Sequence, residues 1–114
     1  MTTRAVITFK DEMGKFSVYV HQDGDPKEIL ASIKAVEKCW EWPRWEANDF
    51  AAAYVATHKN RGGGIRLSRG AAYHDDLEYT YTVTQEAGAL KVVFRKGIGG
   101  KSMKCFVEME KING

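Results

Sequence analysis

The sequence has no long apolar run, few cysteines and no recognisable leader. No apolar stretch approaches the roughly 20 residues that a helix needs to cross a bilayer. The amino terminus lacks the apolar region and the small-residue cleavage site of a signal peptide. We therefore expect a cytoplasmic protein that does not bind membranes. Two cysteines without CxxC spacing exclude a disulfide framework, and we expect Cys39 and Cys105 to be buried thiols.

Motifs of catalysis and metal binding are also missing. The chain contains no HExxH spacing and no GxSxG elbow. Residues 99–102 resemble the end of a phosphate-binding P-loop, but that pattern requires glycine where Arg95 stands and a helix after Ser102, where the sequence indicates a strand. We expect no catalytic residues, no metal site and no cofactor.

Acidic residues are absent from two segments, although the net charge is only +2. Residues 59–70 and 91–104 together hold nine of the 17 cationic residues and no acid. The remaining chain is acidic, so the protein can present a focused positive site. This pattern favours a discrete anionic ligand over general coating of a duplex.

What is present is typical of one globular domain, residues 1–114, with 44% apolar and 28% charged residues. Alternation predicts a β-hairpin from strands 3–10 and 15–22. Helical spacing predicts one helix between Pro26 and Trp40, and a second from about Glu46 to Lys59. Four further strands are predicted at 65–67, 77–84, 90–95 and 103–110. The order ββααββββ indicates an α+β fold, with two helices packed on a mostly antiparallel twisted sheet.

Local signals predict how the helices begin and end. Asp25 followed by Pro26 is typical of a helix start, with Asp25 as the N-cap. Gly62 or Gly63 is expected to end the second helix.

The aromatic residues leave two interpretations open. Trp40, Trp42 and Trp45 either cover one end of the core or offer a platform on which a base stacks. Tyr79 and Tyr81 either face the helices or form an outward aromatic surface.

Residues 58–70 form the segment that we predict to bind a ligand. Three glycines, 62–64, exceed the one that a helix end requires. Successive amides can form an anion-binding nest, and the arginine fork matches phosphate. A second basic, glycine-rich loop at 96–101 would assist, and the binding hypothesis expects the two loops to meet, either within one chain or across an interface. The predicted ligand-binding residues are Lys59, Arg61, Gly62, Gly63, Gly64, Arg66, Arg69, His74, Lys96, Lys101, Lys104 and Trp45.

Four segments resemble small uncharacterised proteins of tailed phages and prophages: residues 5–12, 42–56, 62–67 and 74–79. The resemblance carries no known activity, but it implies a context. Small phage proteins without enzymatic motifs often bind and block a host component, and some act as sponges that sequester nucleotide signals of antiviral immunity. In that setting the protein would act in the host cytoplasm.

These observations lead to several functional hypotheses. The first is a non-catalytic protein that captures a small anionic, nucleotide-like ligand, such as a cyclic messenger, with loops from two or more subunits of a homo-oligomer. The second is an inhibitor that blocks a host defence protein by direct contact. The third is a nucleic-acid-binding protein, and an enzyme acting on nucleotides comes last.

Overall fold

The structure, a computed structural model, describes residues 3–97 and 100–108, without the side chain of Glu108. It confirms the predicted α+β class and element order. The elements are β1 (Ala5–Asp11), β2 (Gly14–Val20), α1 (Pro26–Cys39), α2 (Ala47–His58), β3 (Ile65–Ser68), β4 (Tyr79–Glu86), β5 (Ala89–Lys96) and β6 (Ser102–Glu108).

The six strands form one sheet in the order β3-β2-β1-β4-β5-β6. β1 and β2 pair as the predicted antiparallel hairpin, with Ala5 opposite Val20. β1 and β4 pair in parallel, with Ala5 also beside Tyr79. All other neighbours are antiparallel, so the prediction of a mostly antiparallel sheet is confirmed.

Both helices cover one face of the sheet and bury its apolar side chains. Phe9 of β1 contacts Phe50 and Tyr54 of α2, with ring centroids 5.4 and 5.7 Å apart. Tyr81 is 1% exposed and belongs to the same core, so the outward aromatic surface is excluded. No helix in the described part of the chain is long and apolar enough to cross a bilayer.

The connection between β3 and β4 crosses the face of the sheet that the helices leave uncovered. It was predicted as a loop, and it contains a short 3-10 helix at Ala71–Tyr73. Leu77 and Ala71 of this connection pack on Val6 and Tyr19, whose side chains point away from the helices. Only the part of this face near β2 and β1 is covered by that cluster.

The predicted start of α1 is confirmed, but the predicted end of α2 is not. Asp25 is the N-cap of α1, but its side chain makes no capping hydrogen bond. α2 ends at His58, and Lys59 leaves the helix in an extended conformation while its N–H donates to the carbonyl of Val55. The prediction that Gly62 or Gly63 ends the helix is therefore wrong, because an extended residue already redirects the chain.

The tryptophans and cysteines divide between the core and the surface. Trp42 is 3% exposed and stacks on Phe50, whereas Trp40 is 44% exposed. Cys105 is half-buried, but Cys39 is exposed, so its predicted burial is wrong. Cys39 is the last residue of α1, where the helix has already left the core.

Asp11 joins the first hairpin to the second helix. One of its carboxylate oxygens accepts hydrogen bonds from the N–H groups of Met13 and Gly14, at 2.8 and 3.1 Å. The other accepts from the N–H of Ala47, the first residue of α2, at 2.8 Å. These backbone donors, Ala47 first, hold the pKa of Asp11 below its usual value.

We expect Asp11→Asn to lower the Tm at neutral pH, because one charged acceptor is lost at the helix start. A carboxyl with a lowered folded-state pKa stabilises the fold above its ordinary pKa of 3.8, and that contribution disappears as the pH falls through the folded-state value. The Tm difference between the two proteins should therefore shrink below about pH 4. Thermal unfolding from acidic to neutral pH measures it, with Glu12→Gln in the same turn as the matched control. A Tm difference that does not change with pH would contradict the role of the Asp11 charge.

Gly24 is required by packing at the start of α1. A Cβ at this position would lie 2.7 Å from both the Ala5 Cβ and the Thr3 carbonyl oxygen. The Gly24 N–H donates to Thr3, and its carbonyl accepts from the buried Tyr81 hydroxyl at 2.6 Å. The backbone of residue 24 therefore lies directly against β1.

We expect Gly24→Ala to lower the free energy of unfolding by about 1–3 kcal/mol, the usual cost of forcing extra volume into a packed site. Urea denaturation measures it. Gly62→Ala is the matched control, because no atom lies within 4 Å of its added Cβ. Equal stabilities of the two variants would contradict the packing argument.

Candidate functional site

A cleft of about 930 Å³ lies between the glycine-rich loop 59–64, the first turns of α1 and the end of β2. Its lining includes most of the segment predicted to bind an anion. The lining residues of that segment are His58, Lys59, Asn60, Arg61, Gly62, Gly63, Gly64, Ile65 and Arg66.

Backbone pairing between β2 and β3 positions the loop. Val20 lies opposite Ile65, and the N–H of His21 donates to the carbonyl of Gly64 at 2.9 Å. At the other end of the loop, the Lys59 ammonium donates to the Ile65 carbonyl at 2.7 Å. The loop is thus closed at its base, and the ammonium of Lys59 is engaged in closing it.

The three glycines of the loop differ in whether the fold requires glycine at their position. Gly63 has a φ of +97°, a backbone conformation that residues other than glycine rarely adopt. Gly62 and Gly64 have no positive φ, and a Cβ at either position would meet no atom within 4 Å. Neither backbone conformation nor packing of the described chain therefore requires glycine at 62 and 64.

Arg61 is a cationic residue of this cleft whose side chain is free to bind a ligand. It is exposed, and no hydrogen bond or ion pair joins it to another described residue. Its guanidinium can therefore offer its full set of N–H donors to an anion.

A hydrogen-bonded network forms the inner wall of the cleft. The Ser32 hydroxyl donates to the Ile29 carbonyl at 2.7 Å, so it accepts the bond from the Tyr54 hydroxyl at 2.8 Å. His58 Nε2 donates to the Ser32 carbonyl, also at 2.8 Å. Burial raises the pKa of Tyr54 to about 12. The wall is thus polar, and its hydroxyl and imidazole groups are held by hydrogen bonds within the protein.

Two carboxylates also line the cleft. Asp23 follows β2 and has φ of +59°, and Glu28 lies in the first turn of α1. Both side chains are exposed, and neither forms an ion pair with a described residue. The cleft therefore combines cationic donors with carboxylate acceptors.

Arg66, Arg69 and His74 belong to the opposite side of the sheet. The Arg66 guanidinium lies 4.9 Å from the centre of the Tyr19 ring, although the residue also borders the cleft. His74 stacks on the same ring at 5.0 Å and bonds the Ser68 hydroxyl at 2.8 Å. Arg69 is exposed in the connection to β4. The structure does not bring Arg69 and His74 into the cleft.

The second basic loop lies at the same end of the sheet but at its other edge. Lys96 ends β5, Lys101 precedes β6, and Lys104 lies within β6. Four strand spacings separate β3 from β5, which is roughly 19 Å. The two loops therefore do not meet within one chain. Residues 98–99 of this loop lie outside the described residues.

Gly97 and Gly100 of the second loop are explained by the fold, unlike Gly62 and Gly64. Gly97 has φ of +68° and donates its N–H to the Glu78 carbonyl. A Cβ at Gly100 would collide with the carbonyl of Lys96.

Trp45 lies far from the glycine-rich loop. Its ring packs on Phe50, with centroids 5.3 Å apart, and its N–H donates to the Lys10 carbonyl. It borders a second cavity of about 720 Å³ near the first hairpin turn, where Arg44 pairs with Glu46. In this position Trp45 supports the start of α2.

Sequence reasoning did not place in the site the lining residues that come from the end of β2 and from the helices, among them His21, Asp23, Glu28, Ser32 and Tyr54. The missing information was the partner of β3. Pairing of β3 with β2 would have placed His21 beside Gly64, but alternation identifies a strand without naming its neighbour.

Within residues 3–97 and 100–108, no group of three or more His, Cys, Asp or Glu side chains is placed to hold a metal ion. Comparison of the chain with protein-family models, curated proteins and solved structures finds no match.

We expect Tyr54→Phe to lower the free energy of unfolding by about 1 kcal/mol, because a buried hydrogen bond to Ser32 is lost. Between the ordinary tyrosine pKa of 10.0 and the folded-state pKa of about 12, the folded protein keeps the Tyr54 phenol proton and the unfolded chain releases it. The free energy of unfolding of the wild type should therefore fall as the pH rises through this range. Tyr54→Phe should fall less steeply over that range. Urea denaturation at neutral and alkaline pH measures both effects, with exposed Tyr73→Phe as control. An unchanged alkaline slope in Tyr54→Phe would refute this role.

Proposed function

We propose that this protein is a non-catalytic binding protein that captures a small phosphorylated nucleotide in the cleft formed by loop 59–64. The observation that carries the proposal is the coincidence of the cleft with a cationic loop whose Gly62 and Gly64 are not required by the fold. Glycine permits close approach of another molecule to the backbone.

The loop suits the phosphate end of such a ligand. Arg61 offers a planar fork that can bind two phosphate oxygens at once. Exposed amides of the glycine segment add uncharged donors, as in other anion-binding nests. Lys59 contributes positive potential, although its ammonium also bonds the Ile65 carbonyl.

The rest of the cleft suits a sugar and a base better than a bare anion. Carboxylates such as Asp23 and Glu28 would repel a second phosphate, but they accept hydrogen bonds from ribose hydroxyls and from the amino groups of bases. A volume of about 930 Å³ lies within the usual range for small-molecule sites. A nucleotide has both kinds of group.

Lys96, Lys101 and Lys104 would take part only across an interface between copies, because they lie at the opposite edge of the sheet. Enclosure of the ligand by a homo-oligomer, and a role as a phage sponge for nucleotide immune signals, are extensions of this proposal. Binding in one cleft does not depend on either.

Isothermal titration calorimetry with linear and cyclic mono- and dinucleotides tests the proposal, with inorganic phosphate as the reference ligand. We expect at least one nucleotide to bind with a Kd below about 100 μM, roughly 5.5 kcal/mol, and to bind more tightly than phosphate. Arg61→Gln should weaken that binding about tenfold or more, because a charge-assisted hydrogen bond is lost.

Two further variants separate binding from folding. Gly62→Ala should weaken binding while leaving stability equal or slightly higher, since its Cβ meets no atom of the described chain. Arg44→Gln removes the same charge at the other end of α2 and should bind as wild type. Absence of nucleotide binding below about 100 μM, or equal losses in Arg61→Gln and Arg44→Gln, would overturn the proposal.

A further inference from the structure

The sheet face away from the helices carries a second charged surface, which we call the open face. It consists of the outward-pointing residues of the strands that the β3–β4 connection leaves uncovered. Strand register assigns to it Lys10, Lys15, Thr8, Thr80, Thr82, Thr84, Glu86, Lys91, Val93, Arg95, Ser102, Lys104 and Phe106. This surface lies on the other side of the sheet from α1, whose first turns line the cleft.

Charge on the open face is strongly one-sided. Five of its residues are cationic, contributed by four different strands. The acid on this face whose side chain is described is Glu86, and it already pairs with Lys91 at 3.5 Å. Lys10, Lys15 and Lys104 are exposed and form no ion pair with a described residue.

Lys10 and Lys15 face each other directly across β1 and β2. Like charges at directly opposite positions destabilise a sheet, because their Cβ atoms lie only about 5 Å apart. The fold gains nothing from this pair, whereas a phosphate bound between the two ammonium groups would remove the repulsion.

Three of these cations, Lys15, Lys10 and Lys91, form a row across the strands, and Lys104 lies beside the row. Lys15 of β2 pairs with Lys10 of β1, and Lys10 comes one residue after the last residue of β1 that pairs with β4. Lys91 of β5 pairs with Thr84 of β4 and with Phe106 of β6. From β2 to β6 the row crosses four strand spacings, roughly 19 Å. At about 3.4 Å per nucleotide in a stacked strand, this length accommodates five or six nucleotides.

The neighbouring groups also suit a nucleic-acid strand. The hydroxyls of Thr82, which is exposed, and of Thr84, which is half-buried, can donate to phosphate or sugar oxygens. Phe106, at the end of the row, is 56% exposed and offers an aromatic ring on which a base can stack.

We propose that the open face binds single-stranded nucleic acid, RNA or DNA, through its phosphates, with Phe106 stacking on a base. A duplex fits less well, because nothing on this face projects into a groove and paired bases cannot reach Phe106. The described residues of this face include no set of buried donors and acceptors that would read a base sequence, so binding is expected to be tolerant of sequence.

Fluorescence anisotropy with labelled oligothymidylate and oligouridylate of about 20 nucleotides tests the proposal at salt concentrations from about 50 to 200 mM. The triple variant Lys10→Gln, Lys15→Gln, Lys104→Gln should bind about tenfold more weakly or worse. In a plot of the logarithm of the binding constant against the logarithm of the salt concentration, the slope of this variant should be smaller by about 2, since each single-strand phosphate contact contributes about 0.7. Lys27→Gln, Lys34→Gln, Lys38→Gln changes the charge equally on exposed positions of α1 and should bind as wild type.

Phe106→Ala provides an independent measurement of stacking. It should weaken binding of oligothymidylate but not of inorganic polyphosphate, which has no bases. Circular dichroism confirms that each variant is folded before it is scored. The proposal is overturned if neither oligonucleotide binds at the lowest salt, if both triple variants lose equally, if a duplex binds more tightly, or if polyglutamate binds in place of the oligonucleotides.

Discussion

The carboxylate of Asp11 fixes how the two layers of this protein lie on each other. It holds the turn of the first hairpin and the first amide of α2 at once, so α2 must begin beside the end of β1. A helix of 12 residues then carries the chain about 18 Å along the sheet. Its path places Phe50 and Tyr54 on Phe9, and it ends at the opposite end of the sheet. Loop 59–64 begins there, and for this reason the cleft lies where β2 ends and α1 starts.

The sheet divides the basic segment 58–70 between its two sides. The segment 58–70 crosses from one side to the other at β3: Arg61 lies in the cleft, whereas the Arg66 guanidinium stacks on Tyr19 and Arg69 follows on the far side. Within the edge strand β3, alternation directs Ile65 toward the core under the helices and Arg66 toward the opposite face. The cleft is a confined space with both cationic and acidic side chains, and the open face is a broad, mostly cationic surface. Different ligands suit these two shapes.

Elements and their order could be predicted from the sequence, because apolar periodicity reports burial on one side of a strand or helix. The pairing of β1 with β4 and of β2 with β3 could not, since periodicity does not identify partners. The position of the glycine-rich loop was predicted, but the prediction that one of its glycines ends α2 was wrong, because Lys59 already leaves the helix in an extended conformation. The role of Asp11 in starting α2 was also missed, because its partner Ala47 lies 36 residues away in the chain. Interactions that depend on such tertiary contacts leave no local signal.

The strand order also divides the chain into two contiguous halves. The β3-β2-β1 side of the sheet comes entirely from residues before 69, and the β4-β5-β6 side from residues after 78. The sheet backbones of the halves meet along one seam, the parallel pair of β1 and β4. Both helices belong to the first half, and α1 reaches β6 to cover the second. The second half therefore has no hydrophobic cover of its own, and separation at the seam would expose Tyr81, Val83 and Leu90 together. The two halves are therefore expected to unfold cooperatively, because their separation would expose core side chains to water.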